Sequence, residues 1–214
     1  MTPTAYSVHP TPIGEALVVV SDEGLVALHI LDTPAGDHLA ALTIELGAVP
    51  EHDPAATAAV TAALEGYFAG IRRSFDLAID WRLVHGFTRT TLQTVCEIPY
   101  GETTSYGDVA VAAGHPRAHR AVGSACARTP ISIVIPAHRV VRADGSIGEY
   151  GGHPHAKRLL LDLEARAVAG DAAEGAVAGD AAEGAVAGDA GERAAADAAP
   201  SAAAGDGPRK AAGV

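Results

Sequence analysis

The chain has 214 residues, a formal net charge of −11 and 48% hydrophobic residues, which is enough to build one or two folded domains. It has no apolar run of about 20 residues, and its N-terminus lacks a basic segment followed by an apolar one, so we expect no membrane span and no signal peptide. Cys96 and Cys126 are the only cysteines. Without a disulfide framework or a Cys-x-x-Cys pair, the composition favours a reduced, cytoplasmic protein with no metal and no cofactor.

The negative charge is concentrated at the two ends of the chain. Residues 1–85 carry a net charge of −8 and residues 165–214 a net charge of −4, whereas residues 86–164 carry +1. An acidic protein is a poor partner for nucleic acid as a whole. The distribution nevertheless leaves the middle third free to present a DNA-binding surface.

Residues 1–85 have the pattern of a small α/β domain. Two apolar, β-branched runs, Ala16–Ser21 and Leu25–Leu31, flank an Asp-Glu-Gly turn and predict a β-hairpin. Apolar residues at helical spacing follow an initial proline and predict a helix over Pro54–Ile71. The stretch "SFDLAIDWRL", residues 74–83, predicts another strand.

Short helices dominate the pattern from residue 86 onward. "TRTTLQTVCEI" predicts a helix over about 88–98, and Ser105 with Asp108 resembles a capping box that starts the next helix, which ends at Gly114. A third helix, with Pro116 in its first turn, begins directly afterwards. Two short helices across a Gly-His-Pro turn predict a helix-turn-helix.

The most unusual stretch is "ISIVIPAHRVV", in which a buried strand or extended segment, residues 131–136, ends in Pro-Ala-His-Arg. Polar residues of this kind at the end of an apolar segment are typical of an active site. The residue between the proline and the histidine is Ala137, however, and its methyl group has no reactive chemistry. "AKRLLLDLE", Ala156–Glu164, predicts a last amphipathic helix.

The composition changes at Ala165. A nine-residue repeat, "AVAGDAAEG", starts at Ala167, is repeated once and is followed by a degraded third copy. Ala, Gly and acidic residues without large apolar side chains bury too little surface to offset chain entropy. We therefore expect residues 165–214 to form a disordered acidic tail, most simply one without a specific role.

Five ordered motifs within about eighty residues carry a resemblance to a known family. They are "IPYGETTSYGDVA", "RAVGSACARTP", "IPAHRVV", "DGSIGEYGG" and "KRLLLDLE". This part of the chain resembles the O6-alkylguanine-DNA alkyltransferases, also called methylated-DNA–protein-cysteine methyltransferases. The resemblance implies an N-terminal ribonuclease-H-like α/β domain over residues 1–85 and a mostly helical, winged helix-turn-helix DNA-binding domain over residues 86–164.

The resemblance also implies which chemistry is missing. In the family a cysteine in Pro-Cys-His-Arg takes the alkyl group from O6 of a flipped guanine, the histidine acts as base through water, and a glutamate orients the histidine. His138 and Glu164 match the last two residues, and Ala137 stands at the nucleophile. Because no thiolate has to be formed, a purely structural pairing of His138 with Glu164 remains an alternative.

The DNA-handling residues of the family are matched. Arg120 corresponds to the arginine that fills the gap left by the flipped nucleotide, and Tyr106 to the tyrosine that helps to rotate it out. The remaining matches concern the residues that surround the flipped guanine in the family. They are the backbone carbonyls of Ala137 and Val140, Arg139 after the histidine, the Tyr150 ring and the Gly151 amide as donor to O6. The structural alternatives to these roles are that the Tyr106 ring is part of the hydrophobic core and that Arg120 is a solvated surface charge.

Two further positions depart from the family pattern. Thr129 stands where the family has an asparagine that braces the site, and threonine can replace only part of that hydrogen bonding. Cys126 lies where the family has an apolar pocket residue. It could be a substitute nucleophile, but a buried cysteine that acts as a small hydrophobe is the commoner case. Cys96 is expected to be a core residue.

Members of the family without the cysteine are alkyltransferase-like proteins, and the resemblance implies recognition without repair. We expect a monomer that binds O6-alkylguanine in double-stranded DNA by base flipping, transfers no alkyl group and flags the lesion for nucleotide excision repair proteins. The alternative is a suicidal methylated-DNA–protein-cysteine methyltransferase, if Ala137 replaces an original cysteine or Cys126 substitutes for it. A third hypothesis is a degenerate fold kept for protein contacts.

Overall fold

The computed structural model describes residues 3–148, 150, 151 and 154–184, with side chains as far as Asp171. Short 3-10 turns occur at Trp81–Leu83 and Ala137–Arg139. In chain order the other elements are β1 (Thr4–Thr11), β2 (Gly14–Ser21), β3 (Gly24–Ile30), α1 (Ala35–Leu46), β4 (Glu51–His52), α2 (Pro54–Phe68), α3 (Gly86–Cys96), β5 (Thr104–Ser105), α4 (Tyr106–Ala112), α5 (His119–Ala127), β6 (Val140–Val141) and α6 (Pro154–Gly184).

The first half of the chain is a four-stranded sheet covered by two helices. The strand order is β3-β2-β1-β4, with antiparallel pairs except for the parallel pair β1–β4. The predicted hairpin is confirmed, and its Gly24 has a φ of 136° with no room for a Cβ, which would lie 2.3 Å from the Ala78 carbonyl oxygen. The helix predicted from Pro54 is also confirmed, and the Asp53 carboxylate caps it by accepting from two amides of its first turn.

The strand predicted over residues 74–83 is not a regular strand. The segment makes one bridge to the sheet, between Ile79 and Leu25, and then enters the 3-10 turn. The cause is Asp80, whose buried carboxylate accepts hydrogen bonds from the Ser21 hydroxyl and from the backbone and side chain of Arg82. These local bonds turn the chain before a ladder can form.

The predicted helix-turn-helix consists of α4 and α5. Ser105 caps α4 as predicted: its hydroxyl accepts from the Asp108 amide at 3.1 Å and donates to the Asp108 carboxylate at 2.7 Å. The second helix starts at His119, later than predicted, so Pro116 lies in the connecting turn and not in the helix. The turn is longer because Gly114, with a φ of 79°, lets the His115 amide bond back to the Ala110 carbonyl and close the end of α4.

The segment Ile131–Pro136 is buried as predicted but forms turns and no regular strand. Its first residues extend the sheet, because the Leu28 amide donates to the Pro130 carbonyl and the Ser132 amide donates to the Leu28 carbonyl, each at 2.8 Å. Ile133 then takes a φ of 68°, which is rare for a β-branched residue and bends the chain away from the sheet. The bend ends this extension of the sheet and leads into the 3-10 turn.

Helix α6 extends beyond Glu164, where the sequence predicted the tail to begin, and continues to Gly184. Alanine, the strongest helix former, is the commonest residue there. The Arg73 guanidinium also holds this part of the helix, by bonding the Asp171 carboxylate and the Ala167 carbonyl. The rest of the predicted tail, residues 185–214, lies outside the described residues.

The sheet and the helices up to Ala173 form one compact unit with a shared hydrophobic core. Leu28 and Leu64 from the first half pack in the same cluster as Leu92, Val122 and Leu160 from the second. No helix among the described residues is both long and apolar enough to span a membrane.

Candidate functional site

The centre of the site is the 3-10 turn Ala137–Arg139, which lies in the protein interior. Ala137 is 1% exposed and His138 is 0% exposed. Directly after the turn, β6 pairs in parallel with β5, and β5 ends at the residue that caps α4. This pairing brings the Pro-Ala-His-Arg motif beside the start of the helix-turn-helix.

Behind the turn lies a group of five residues that we call the carboxylate network: Tyr67, Gly101, His138, Arg139 and Glu164. The buried Glu164 carboxylate accepts from the Tyr67 hydroxyl at 2.8 Å, from the Gly101 amide at 2.9 Å and from His138 Nε2 at 2.9 Å. Arg139 adds bonds from Nε and Nη2, each at 2.9 Å. The predicted pairing of His138 with Glu164 is therefore present, and Tyr67 and Gly101 join it.

The network determines the protonation of the histidine. Because a carboxylate can only accept, we assign the proton to Nε2 of His138, which leaves Nδ1 with a lone pair. Nδ1 has no hydrogen-bond partner among the described protein groups. Burial lowers the pKa of His138, so the ring is neutral at pH 7. The site thus retains a neutral imidazole with a free basic nitrogen.

Glu164 is ionised despite its burial. Desolvation by burial alone would raise its pKa, but hydrogen bonds from His138 and Arg139 outweigh this effect and lower the pKa to about 2. The Tyr67 hydroxyl has a raised pKa because of its burial and the nearby Glu164 charge, so it remains a donor. The network is an ion pair with neutral donors around it.

The Arg139 side chain belongs to the carboxylate network and does not line the cavity beside Tyr150 and Gly151. Its side chain is buried, bonds Glu164 and donates from Nη1 to the Ile98 carbonyl at 2.7 Å. It also lies over the Tyr100 ring, at 5.5 Å from the ring centre. The sequence predicted contact of Arg139 with the lesion, whereas its partners here are protein groups that support Glu164.

The carbonyl of Val140 already has one protein partner. Lys157 of α6 is completely buried and donates from Nζ to this carbonyl at 2.5 Å. Lys157 is a residue of the site that the sequence motifs did not predict. The available signal was a lysine on the apolar face of "AKRLLLDLE", since it lies one residue after the buried Ala156 and three before the buried Leu160.

The two residues predicted to handle the nucleotide lie on the helix-turn-helix. Tyr106 is the first residue of α4 and packs against Gly123 of α5, where an added Cβ would lie 3.9 Å from the ring. Lys157 Nζ lies 5.7 Å from the centre of the Tyr106 ring. Arg120 is exposed near the start of α5. Their positions are compatible with the predicted roles, which remain predictions.

A cavity of about 140 Å³, which we call the base pocket, lies beside Tyr150, whose ring centre is 6.2 Å from that of His138. The described lining of this cavity does not include Ala137, His138 or Val140. Tyr150 and Gly151 line it, together with Cys126 of α5. The structure therefore brings together three of the residues that the sequence placed around a flipped base. The opposite wall comes from the first half of the chain, which the sequence did not predict, and consists of His29, Ile30, Asp32 and His38.

Thr129 and Ser132 complete the part of the pocket wall that precedes the turn. The Thr129 hydroxyl accepts from the Ile131 amide at 3.4 Å and lies 3.5 Å from the Ile131 carbonyl oxygen. These long contacts agree with the expectation that threonine provides only part of the bracing of an asparagine. No group of three potential ligands in the described part of the chain is arranged to hold a metal ion.

Comparisons with known proteins agree with this architecture. Residues 86–166 match the family model "6-O-methylguanine DNA methyltransferase, DNA binding domain", and residues 4–81 match that of the ribonuclease-like domain of the same enzymes. The methylated-DNA–protein-cysteine methyltransferase of Methanosarcina barkeri is 37% identical over 159 residues, which are 74% of this chain and 96% of that protein. This chain belongs to the O6-alkylguanine-DNA alkyltransferase family.

Solved structures of the family have the same fold. The crystal structure of Mycobacterium tuberculosis OGT in complex with DNA is 34% identical, has a TM-score of 0.65 and covers 76% of this chain and 94% of that one. The O6-methylguanine-DNA methyltransferase from Pyrococcus kodakaraensis strain KOD1 is 22% identical with a TM-score of 0.54, which shows the fold alone. The predicted mixed α/β fold with a helical DNA-binding part is therefore confirmed.

As an alkyltransferase-family protein, this chain lacks a nucleophile in the motif. The Ala137 methyl group has no lone pair, and of the two cysteines only Cys126 lines the base pocket. Cys96, which the sequence predicted to be a core residue, is exposed at the end of α3, so that prediction was wrong. Burial raises the pKa of the Cys126 thiol to about 11. At pH 7 only about one molecule in 10⁴ would carry the reactive thiolate. No residue in the described lining of the pocket is therefore prepared to accept an alkyl group.

Proposed function

We propose that this protein binds O6-alkylguanine in double-stranded DNA, holds the flipped base in the base pocket and transfers no alkyl group. The observation that carries the proposal is Ala137, which stands in a buried turn beside an intact His138–Glu164 pair and near a pocket that Tyr150 and Gly151 line. We further propose that the bound monomer acts in the cytoplasm and flags the lesion for nucleotide excision repair.

In this proposal different residues contact the DNA backbone and stack on one side and the flipped base on the other. Arg120 would enter the base stack from α5, and Tyr106 would support the rotated phosphate. Extruding a base costs a few kcal/mol, which such groups offset. The Gly151 amide would donate to O6, and the carbonyls of Ala137 and Val140 would read the guanine edge. The bond from Lys157 uses only one of the two lone pairs on the Val140 carbonyl, so that carbonyl can accept again.

The proposal is tested with a DNA duplex that carries O6-methylguanine with a radiolabelled methyl group. We expect lesion-selective binding, and no label on the protein after denaturation. Ala137→Cys is the matched control, because it places the family's thiol one residue before His138, whose Nδ1 has no hydrogen-bond partner among the described protein groups. This variant should become labelled, which would show that the pocket, the base and the assay are competent.

Two other outcomes would replace the proposal. Label on the original protein that disappears in Cys126→Ser would establish a suicidal alkyltransferase, the alternative favoured by the position of Cys126 in the pocket wall. Equal affinity for damaged and undamaged duplexes would instead favour a degenerate fold kept for protein contacts.

A further inference from the structure

The base pocket is a composite of both halves of the chain. The hydrogen bonds between Leu28 and the segment Pro130–Ser132 attach the end of β3 to the pocket wall. His29 and Ile30, the last two residues of β3, therefore lie next to Thr129 and Ser132 in the lining. Helix α1 contributes His38, whose ring centre lies 5.8 Å from that of His29. Two imidazoles thus face the space that the flipped base would enter.

Both imidazoles have unused hydrogen-bonding capacity. Nε2 of His29 and Nε2 of His38 are buried atoms without a hydrogen-bond partner among the described protein groups. His38 Nε2 lies 3.3 Å from an Asp32 carboxylate oxygen, but the contact lacks hydrogen-bonding geometry. Burial and the neighbouring His38 lower the pKa of His29 to about 4, so this ring is neutral at pH 7. A neutral imidazole nitrogen can donate or accept, according to its tautomer.

A buried polar atom without a partner is unfavourable, and its bonding by a ligand removes that cost. An O6-methyl or O6-propyl group has no atom that can bond these nitrogens. A hydroxyl on the alkyl chain can bond them, since it donates once and accepts twice. A carboxylate on the chain would instead meet the negative charge of Asp32 on the same wall.

We propose that His29 and His38 form a specificity wall that selects O6-alkylguanines whose alkyl group carries a neutral hydrogen-bonding group, such as a hydroxyalkyl chain. This selectivity rests on the proposed function, because it requires that the base pocket receives the flipped base. It assigns the selection of the substituent to the first half of the chain, whereas the helix-turn-helix handles the DNA.

The test compares two substituents of nearly equal size, O6-(2-hydroxyethyl)guanine and O6-propylguanine, which differ by a hydroxyl in place of a methyl. Dissociation constants for fluorescent duplexes are measured by anisotropy, with undamaged duplex as reference. We expect the protein to bind the hydroxyethyl lesion about tenfold more tightly than the propyl lesion, the value of one to two added hydrogen bonds.

His38→Leu keeps the bulk of the side chain but removes both nitrogens, and it should lower the ratio toward one without abolishing lesion binding. His9→Leu is the control, because His9 lies on β1 and pairs with Glu65 outside the pocket lining. This variant should keep the ratio of the original protein. Thermal melting of both variants verifies that they fold.

The outcomes separate the wall from the proposed function. Equal affinities of the original protein for the two lesions, with both bound more tightly than guanine, would overturn the wall alone, whether or not the variants fold. An unchanged ratio in folded His38→Leu would also overturn it. No preference for either lesion over guanine would overturn the wall and the proposed function together.

Discussion

The carboxylate network and the base pocket are neighbours, since the ring centres of His138 and Tyr150 lie 6.2 Å apart, yet they use polar groups in opposite ways. In the network the Glu164 carboxylate has four protein partners, which come from α2, the 3-10 turn and the loop before β5. In the pocket wall the imidazoles of His29 and His38 have nitrogens without partners. The Glu164 carboxylate thus finds all these hydrogen-bond partners within the protein, whereas the imidazole nitrogens of the pocket wall can still bond a ligand.

This difference explains how a site can lose its nucleophile and remain ordered. The network connects distant parts of the chain through one buried charge, so its contribution to stability does not depend on a cysteine at position 137. His138 therefore has a structural role in the network that is independent of any contact with a base. The structural pairing of His138 and Glu164, an alternative at the level of sequence, is supported by the number of elements that Glu164 joins.

The largest expected effect comes from removal of the charge at the centre of the network. Glu164→Leu preserves the approximate size but leaves the buried Arg139 guanidinium without its counter-ion. Breaking a buried ion pair in this way costs about 3–5 kcal/mol of the free energy of unfolding. Urea denaturation measures the loss. Asp162→Ala, at an exposed position on the same helix, is the control and should change the stability by less than about 0.5 kcal/mol.

A loss of less than about 1 kcal/mol in Glu164→Leu would contradict the structural role that we assign to the carboxylate network. It would mean that the network is not a main support of the fold.

Acid should destabilise the protein in two pH ranges, an upper one in which buried histidines titrate and a lower one in which Glu164 titrates. The folded-state pKa of His29, about 4, is below the ordinary value of 6.5, so the unfolded chain binds the proton first. Neutral His29 therefore makes its full contribution to the free energy of unfolding above pH 6.5. Roughly 3 kcal/mol of this contribution is lost as the pH falls from 6.5 toward 4. The pKa of His138 is lowered too, and its protonation acts in the same direction. The pKa of Glu164 is lowered from 4.5 to about 2, so its contribution is lost only between those values.

Urea denaturation at a series of pH values would measure these two steps. His29→Gln should reduce the upper step and leave the lower one, because glutamine does not titrate. His52→Gln, at an exposed position on β4, is the control and should leave both steps unchanged. An upper step of the same size in His29→Gln would show that the histidines of the pocket are not the acid-sensitive groups.

Much of the fold was predictable because its signals are local. The hairpin, the helix after Pro54 and the Ser105 cap depend on residues within a few positions of each other. The errors have non-local or competing causes. The segment 74–83 fails to form a strand because Asp80 bonds Ser21, 59 residues earlier, and α5 begins late because Gly114 closes the preceding helix with an extra turn.

The candidate site shows the same limit. The motifs brought His138, Glu164, Tyr150 and Gly151 to the correct region, since they lie on elements that follow one another closely. Tyr67 could not be predicted in this way, because it is 97 residues from Glu164 in sequence and approaches it only when α2 packs on the core. The histidines of the pocket wall were missed for a similar reason, since the bridge from β3 to Ile131 has no sequence motif.

The smallest expected effect on stability is that of Arg120→Ala. This substitution separates DNA binding from folding, because it should change the affinity for DNA and leave the free energy of unfolding almost unchanged. Because Arg120 is exposed and its side chain makes no protein hydrogen bond that we observe in the described part of the chain, Arg120→Ala should change the free energy of unfolding by less than about 0.5 kcal/mol. If the side chain fills the gap left by the flipped guanine, the variant should lose about tenfold in affinity for O6-methylguanine duplex and much less for undamaged duplex. Anisotropy with both duplexes measures the ratio, and Arg166→Ala, an exposed arginine on α6, is the charge-matched control. An equal loss for both duplexes in Arg120→Ala would reduce Arg120 to a general phosphate contact, because a purely electrostatic contribution does not distinguish a lesion from guanine.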